Sequence, residues 1–129
     1  MPAADAQELL ELNRKLLESI ASGDWQTYET LCDPTLSAFE PEGRGHLIEG
    51  LGFHRFYFDL GSPVGARATT MSSANVRLMG DVAVVAYVRL VQSLDDSAAP
   101  VTSHVEETRV WQRQQGLWRH VHFHRSPCG

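Results

Sequence analysis

Apolar residues recur at helical spacing near the start of the chain and predict an amphipathic first helix. Asp5 and Glu8 form a D-x-x-E capping pattern at its start. The apolar stripe of this helix consists of Leu9, Leu12, Leu16, Leu17 and Ile20. Gly23 suits the position just past the helix end. Residues 1–5 and 127–129 are expected to be frayed tails.

The next segments predict short elements. Asp24 can cap a second helix over residues 25–32, which Pro34 prevents from continuing. Residues 35–39 then favour a short strand. The aromatic-rich segment 51–60 is compatible with a short helix, and a loop is expected after it.

Beyond residue 65 the pattern changes to extended strands separated by short turns, which predicts an antiparallel meander. The four predicted strands cover residues 66–79, 82–94, 101–113 and 117–125. The second of them is nearly all apolar, so burial on both faces is expected. With helices first and strands later, the chain is predicted to be one α+β domain over residues 1–129, its sheet curved around the long first helix.

Composition narrows the possible partners and compartments. The net charge of −5 argues against nucleic acid or an anionic membrane surface as a partner. No signal peptide or membrane-length apolar run is visible, and Cys32 and Cys128 do not form a disulfide framework. A cytoplasmic protein is therefore expected.

Strand alternation places three arginines on faces that otherwise look buried. Each arginine shares its strand face with an aromatic residue two positions away. The pairs are Arg89 with Tyr87, Arg109 with Trp111, and Arg125 with Phe123. Because a guanidinium group is rarely buried without a partner, these side chains require carboxylates. The carboxylates come either from the protein, where Glu106 and Glu107 are nearest in sequence, or from a ligand that the planar arginine fork can bind. The hypothesis is a pocket for a small anion; the alternative is three separate arginines at the rim with solvated heads.

The last predicted strand carries a row of histidines on the face opposite to Arg125, and this row consists of His120, His122 and His124. The same alternation places Trp118 with the histidines, and Leu117 and Val121 with Arg125. Neutral imidazole is a metal ligand, but steps of about 6–7 Å along a strand and the lack of accompanying cysteines or carboxylates disfavour a zinc site. A face turned to solvent or to another subunit is expected, with no metal and no cofactor.

Familiar catalytic motifs are missing from the sequence, including glycine-rich phosphate loops, GxSxG, HExxH and kinase motifs. Asp33, Glu40 and Asp59 are possible acids, but their spacing indicates no partner. Asp33 before Pro34 is better interpreted as part of a helix stop. His54, in the aromatic segment, is either a half-buried structural histidine or a hydrogen-bond donor at a pocket mouth.

Several ordered strings resemble one known family. They are GDW at 23–25, CDP at 32–34, AFEPE at 38–42, FHRFYF at 53–58, AYVRL at 86–90, EETRVW at 106–111 and VHFHRS at 121–126. Together they resemble the association (hub) domain of calcium/calmodulin-dependent protein kinase II, from about residue 8 to residue 126.

The resemblance implies a cone-shaped fold of the nuclear transport factor 2-like superfamily. It also implies homodimers, which in the kinases stack into larger two-tiered rings. The family pocket holds small carboxylates such as hydroxybutyrate analogues, and its lining corresponds here to His54, Arg89, Arg109 and Arg125. Tyr87, on the same strand face as Arg89, completes the predicted ligand-binding set.

The resemblance has two departures. The kinase hubs carry a tryptophan-containing loop after the HRFYF segment, whereas residues 59–68 are shorter and contain no tryptophan. The sequence also shows no catalytic kinase domain and no basic calmodulin-binding helix, so neither phosphorylation nor calmodulin binding is expected.

Three functions are compatible with these features. The first is a non-catalytic, self-associating domain whose pocket binds a small carboxylate. The second is an isomerase, dehydratase or cyclase of the same superfamily with His54 as acid/base, which a nearby ionisable group such as Tyr57 or Glu40 would favour. The third is a partner-binding module that uses the outer face with the histidine row and Trp118.

Overall fold

A computed structural model describes residues 2–61 and 65–128, and these residues form one layer of helices against one curved sheet. The described helices are α1 Pro2–Ser22, α2 Trp25–Leu31 and α3 Gly52–Asp59. The described strands are β1 Cys32–Phe39, β2 Ile48–Glu49, β3 Ala68–Met79, β4 Val82–Leu94, β5 Pro100–Gln114 and β6 Leu117–Arg125. They join into one six-stranded sheet in the order β2-β1-β6-β5-β4-β3. The predicted α+β class is confirmed.

The first helix begins earlier than its predicted cap. Helix α1 begins at Pro2, so Asp5 lies within its first turn instead of capping it. Proline is favourable there because its missing N–H would have no partner in the first turn. The Asp5 carboxylate lies 3.5 Å from an Nη1 atom of Arg113, which ties the helix start to β5.

Helix α2 is capped as predicted. The Asp24 carboxylate accepts the Thr27 backbone N–H at 3.2 Å and the Thr27 hydroxyl at 2.6 Å. The helix ends at Leu31, one residue early, because β1 begins directly at Cys32. Within the first residues of β1, the Asp33 carboxylate accepts the backbone N–H of Thr35 at 2.8 Å.

The antiparallel meander of β3, β4, β5 and β6 is confirmed. Two further pairings were not predicted: β1 runs parallel to β6, and the two-residue β2 is antiparallel to β1 at the sheet edge. A parallel pairing between distant segments leaves no turn signal in the sequence. It brings the end of β1 beside the end of β6, where the cavity described below opens.

A β-bulge in β6 overturns part of the predicted strand alternation. Trp111 pairs with His120 and Val110 pairs with His122, so Val121 is an extra residue without an opposite partner. The extra residue reverses which side chains face inwards. His120 is fully buried, whereas Leu117 is 62% exposed.

The predicted grouping on β6 was therefore wrong before the bulge and right after it. Trp118 and His120 lie inside instead of on the outer face, and Leu117 and Val121 do not share the buried face of Arg125. Phe123 is buried beside Arg125 as predicted. The row of three histidines is broken, since His120 no longer lies with the other two.

Strand β4 is buried on one face only within a single chain. Ala83, Val85 and Tyr87 are buried against the helices, whereas the alternate residues Val84 and Ala86 are half-buried on the outer face. The prediction that β4 is buried on both faces is therefore wrong for a single chain. The outer face of β4 stays apolar and incompletely covered.

The core lies between α1, α2 and the inner face of the sheet. Its large buried side chains are Leu9, Leu16, Leu17, Tyr28, Leu36, Trp111 and Phe123. Trp111 is fully buried, and its indole N–H donates to Oδ1 of the fully buried Asn13 at 3.1 Å. This hydrogen bond joins α1 to the centre of the sheet and satisfies a polar group that would be costly to bury alone.

Candidate functional site

A cavity of about 230 Å³ lies between the helices and the inner face of the sheet. Its described lining consists of Ile20, Tyr28, Glu40, Glu42, His54, Tyr57, Phe58, Arg89, Arg109, Phe123 and Arg125. The structure thus brings together four of the five predicted ligand-binding residues. The fifth, Tyr87, does not line the cavity but supports its arginines from behind.

Glu107 is the buried partner of two of the arginines. Its Oε2 atom lies 3.1 Å from Nη1 of Arg89, and its Oε1 atom lies 3.1 Å from Nη2 of Arg109. The Tyr87 hydroxyl donates to Glu107 at 2.5 Å and accepts from Nε of Arg109 at 2.8 Å. Of the two carboxylates nearest in sequence, Glu107 therefore serves the arginines, whereas Glu106 is exposed on the opposite face.

Burial and ion pairing have opposite effects on the pKa of the carboxylate in this cluster. Burial alone would raise the pKa of Glu107, but the guanidinium groups of Arg109 and Arg89 outweigh it and lower that pKa to about 2. Burial raises the pKa of Tyr87 to about 12, with the Glu107 charge adding to the effect. Glu107 is therefore ionised and Tyr87 neutral at physiological pH.

Glu107 is expected to make the stability of the fold sensitive to acid. Because its pKa is about 2 in the folded chain against a reference of 4.5, the ionised form stabilises the fold by about 3 kcal/mol. That contribution is complete above about pH 5 and is lost as the pH falls towards 2. Unfolding free energies of the wild type and of Glu107→Gln, measured from pH 6 to 2, should converge as the pH falls; a constant difference would contradict the assignment.

Arg109 is held rigidly and does not reach solvent. Its guanidinium carbon lies 4.3 Å from the centre of the Phe123 ring, and Nη1 lies 3.4 Å from Nε2 of His120. Burial and the Arg109 charge hold the pKa of His120 well below its usual range, so this imidazole is neutral. Arg109 therefore anchors the back of the cavity.

Cys32 lies behind the same cluster and is not an activated thiol. Its Sγ atom lies 3.4 Å from Nδ1 of His120, but burial raises the pKa of the thiol to about 12. Cys32 and Cys128 are both unpaired. A nucleophilic cysteine mechanism is disfavoured by this environment.

At the other side of the cavity, Glu40 connects His54 to Arg125. Nε2 of His54 lies 2.6 Å from Oε1 of Glu40, and Nη2 of Arg125 lies 3.4 Å from Oε2 of Glu40. Arg125 also pairs with Glu42, which is more exposed. Burial opposes ionisation of Glu40, but the hydrogen bond and charge of His54, followed by those of Arg125, lower its pKa.

The sequence named Glu40 as a possible ionisable group near His54, but it did not predict that Glu40 also contacts Arg125. The residue directly follows β1, and the end of β1 pairs with the end of β6, so Glu40 comes beside Arg125. The parallel pairing was the missing information. The other two candidate acids lie elsewhere: Asp33 hydrogen-bonds Thr35 and Gln114, and the exposed Asp59 lies 3.8 Å from Arg55.

Within residues 2–61 and 65–128, no group of three or more histidine, cysteine, aspartate or glutamate side chains is arranged to hold a metal ion. On the outer face, Nδ1 of His122 lies 2.7 Å from the hydroxyl oxygen of Ser37, within hydrogen-bonding distance. None of the described helices is both long enough and apolar enough to cross a membrane.

The comparisons with known proteins identify the family. The family model described as "Calcium/calmodulin dependent protein kinase II association domain" matches residues 5–129. The chain belongs to this family. The calcium/calmodulin-dependent protein kinase type II subunit delta of Oryctolagus cuniculus is 47% identical over 126 residues, which are 95% of this chain and 24% of that protein. The chain thus spans about a quarter of the length of that kinase subunit.

Solved association domains have the same structure. The association domain of the C. elegans kinase II matches with a TM-score of 0.92 and 45% identity, covering 97% of both chains. The hub homology domain of Chlamydomonas reinhardtii matches with a TM-score of 0.89 and 49% identity, covering 95% of this chain and 97% of that one. A nuclear transport factor 2-like protein of Salmonella enterica, 21% identical with a TM-score of 0.78 over 98% of this association domain and 92% of its own chain, confirms the predicted superfamily fold.

Proposed function

We propose that this association domain is a non-catalytic, self-associating module whose cavity binds a small carboxylate. The observation that carries the proposal is the convergence of Arg89, Arg109 and Arg125 on one cavity. Membership in the association-domain family supports the self-association. The carboxylate-binding part rests on the chemistry of the cavity itself.

Self-association is supported by the outer face of the sheet. Val84, Ala86 and Val88 on β4 are only half-buried in one chain, and Val110 lies opposite Val84 on β5. An apolar sheet face of this kind is stabilised when a second copy covers it. A homodimer, alone or within a larger ring, would supply that cover.

Replacing Ala86 with arginine is expected to break the assembly into monomers. The added charge would lie beside the half-buried Val84 and Val88 of the outer face, where a second copy would have to cover it. Sedimentation velocity at fixed protein concentration should show two or more subunits for the wild type and for the control Ser97→Arg, in an exposed turn. A wild type that sediments as a monomer, or an Ala86→Arg variant with unchanged mass, would contradict this interface.

Carboxylate binding is supported by the partial exposure of the Arg89 and Arg125 side chains, which line the cavity. The side chains of Arg89 and Arg125 are 14% and 16% exposed, so a ligand in the cavity can reach both, whereas Arg109 is 2% exposed and lies behind them. Arg89 also has a buried Nε–H without a described partner. Such donors match the two oxygens of a carboxylate.

Replacing either accessible arginine with glutamine is expected to weaken carboxylate binding. One charge-assisted hydrogen bond is worth about 1.5–3 kcal/mol, so Arg89→Gln and Arg125→Gln should each lower the affinity for 4-hydroxybutyrate about 10- to 100-fold. Isothermal titration calorimetry measures this, with the exposed Arg77→Gln as the matched control. Equal affinity in all four proteins would exclude the arginines from the site, and no binding by the wild type would contradict the carboxylate proposal.

A second candidate function, catalysis, is favoured by one observation. The Glu40 carboxylate orients His54 at 2.6 Å beside the cavity, as an acid/base residue of an isomerase, dehydratase or cyclase would require. In that case His54→Ala would abolish turnover while carboxylate affinity remained. Loss of affinity in His54→Ala, with no turnover of candidate acids by the wild type, would favour binding alone.

A further inference from the structure

The charges around the cavity balance one another before any ligand binds. Within the described part of the chain, three guanidinium groups are paired with three carboxylates. The pairs are Arg89 with Glu107, Arg109 with Glu107, Arg125 with Glu40 and Arg125 with Glu42. The cavity is therefore close to neutral when His54 is neutral, although its arginines suggest a positive site.

A bound carboxylate would disturb this balance. It would add one negative charge to a partly enclosed site in which Glu40 and Glu107 already carry the same sign. An uncompensated charge that loses its hydration is costly. The cost is removed if one group at the cavity gains a proton when the ligand binds.

The Glu40–His54 pair is the place at the cavity where a proton can be added when the ligand binds. The charged and titratable groups nearby are Tyr28 on α2, Tyr57 on α3, Arg89 on β4, Arg109 and Glu107 on β5, His120 and Arg125 on β6, and Glu40 and Glu42 after β1. Tyr28 and His120 are held in their neutral forms, because burial raises the pKa of Tyr28 and lowers that of His120. The imidazole of His54, by contrast, has two ring nitrogens, and only one of them contacts Glu40.

The geometry of the pair allows it to hold an additional proton. When His54 is neutral and Glu40 is ionised, the Nε2–H group of His54 donates to Glu40, and Nδ1 is a buried atom without a hydrogen-bond partner. Nδ1 is thus a basic atom with a free lone pair. Because the two groups lie 2.6 Å apart, an added proton would belong to the pair and not to one residue alone.

We propose that the cavity binds a singly charged carboxylate together with one proton, which the Glu40–His54 pair takes up. This inference rests on the proposed carboxylate binding and adds the charge class of the ligand. A monocarboxylate and one proton leave the cavity neutral. A dicarboxylate dianion would leave it with a net negative charge and is therefore expected to be disfavoured.

Calorimetry in several buffers tests the proposal. Titration of 4-hydroxybutyrate into the protein in Tris, imidazole and triethanolamine, which supply no competing anion besides chloride, yields the number of protons exchanged. The expected uptake approaches one proton per subunit at pH 8 and decreases as the pH is lowered, because a pair that already holds the proton has none to gain. Where the uptake is one proton, the affinity should fall about tenfold for each rise of one pH unit. Succinate should bind at least about tenfold more weakly at pH 8.

Two variants separate proton uptake from a structural role of the pair. His54→Gln keeps an N–H donor for Glu40 but cannot gain a proton, so uptake should vanish and the affinity should become independent of pH and weaker than that of the wild type at pH 8. Glu40→Gln removes one negative charge, so its affinity at pH 8 should rise about tenfold or more without uptake. The exposed His104→Gln is the matched control and should take up protons like the wild type.

The outcomes distinguish this inference from the function on which it rests. Binding of 4-hydroxybutyrate with no proton uptake at any pH, or uptake that persists in His54→Gln, would overturn the proton-coupled mode and leave carboxylate binding intact. An affinity of Glu40→Gln below that of the wild type at pH 8 would also overturn it. No binding by the wild type at any pH would overturn both proposals.

Discussion

Replacing Glu107 with glutamine is expected to lower the free energy of unfolding by about 3–5 kcal/mol. Glutamine keeps the volume, but it leaves the guanidinium groups of Arg89 and Arg109 buried without their carboxylate. Removing one partner of a buried ion pair is costly because the remaining charge keeps its desolvation penalty. Urea unfolding at fixed protein concentration measures the loss, since self-association would otherwise shift the transition.

The adjacent residue supplies a matched control. Glu106 lies next to Glu107 on β5 but is exposed on the opposite face, so Glu106→Gln should change the stability by no more than about 0.5 kcal/mol. A loss below about 1 kcal/mol in Glu107→Gln would mean that the two arginines find other partners. The pairing of Glu107 with Arg89 and Arg109 would then be wrong.

Replacing Trp111 with alanine is the second large effect and is expected to cost about 3–5 kcal/mol. The side chain is fully buried at the centre of the sheet, so its removal leaves a cavity that the neighbouring strands cannot close. It also leaves Oδ1 of Asn13 without its indole donor. Chemical unfolding and the associated fall in melting temperature measure the loss.

The Asn13 contribution can be separated from the packing contribution. Trp111→Phe removes the indole donor with less loss of volume, and Asn13→Leu removes the acceptor. Because an unsatisfied buried acceptor is costlier than an absent one, the double variant should lose less than the two single variants together. Additive losses would show that the Trp111–Asn13 hydrogen bond contributes little.

The sequence predicted the elements that follow simple periodicity and strand alternation. The bounds of β4 and β6 were predicted correctly, since turn residues delimit them on both sides. Arg89 and Arg109 lie on their predicted inner faces because the β4–β5 pairing runs without a register shift. Strand alternation alone was therefore sufficient to place two of the three arginines.

The remaining features depended on pairings that alternation cannot reveal. The bulge at Val121 carries no glycine or other marker, so His120 and Trp118 were assigned to the wrong face. Arg125 was placed correctly because it follows the bulge. Glu40 was named only as a possible group near His54, because its proximity to Arg125 depends on the parallel β1–β6 pairing. The loop predicted over residues 61–65 lies partly outside the described residues.

Several of the sequence-based expectations stay predictions. The acidic charge balance predicts that neither nucleic acid nor an anionic membrane is a partner, and the missing motifs predict no calmodulin binding, no metal and no cofactor. The roles of His54, Tyr87 and the three arginines in ligand binding also await measurement.

Native mass spectrometry of gently purified protein, with and without 4-hydroxybutyrate, reports the number of subunits and the retained ligand in one experiment. We expect an assembly of two or more chains that carries up to one carboxylate per chain. This added mass should be lost in Arg89→Gln and Arg125→Gln while the assembly stays intact. A monomer, or an assembly that retains no carboxylate at any ligand concentration, would contradict this expectation.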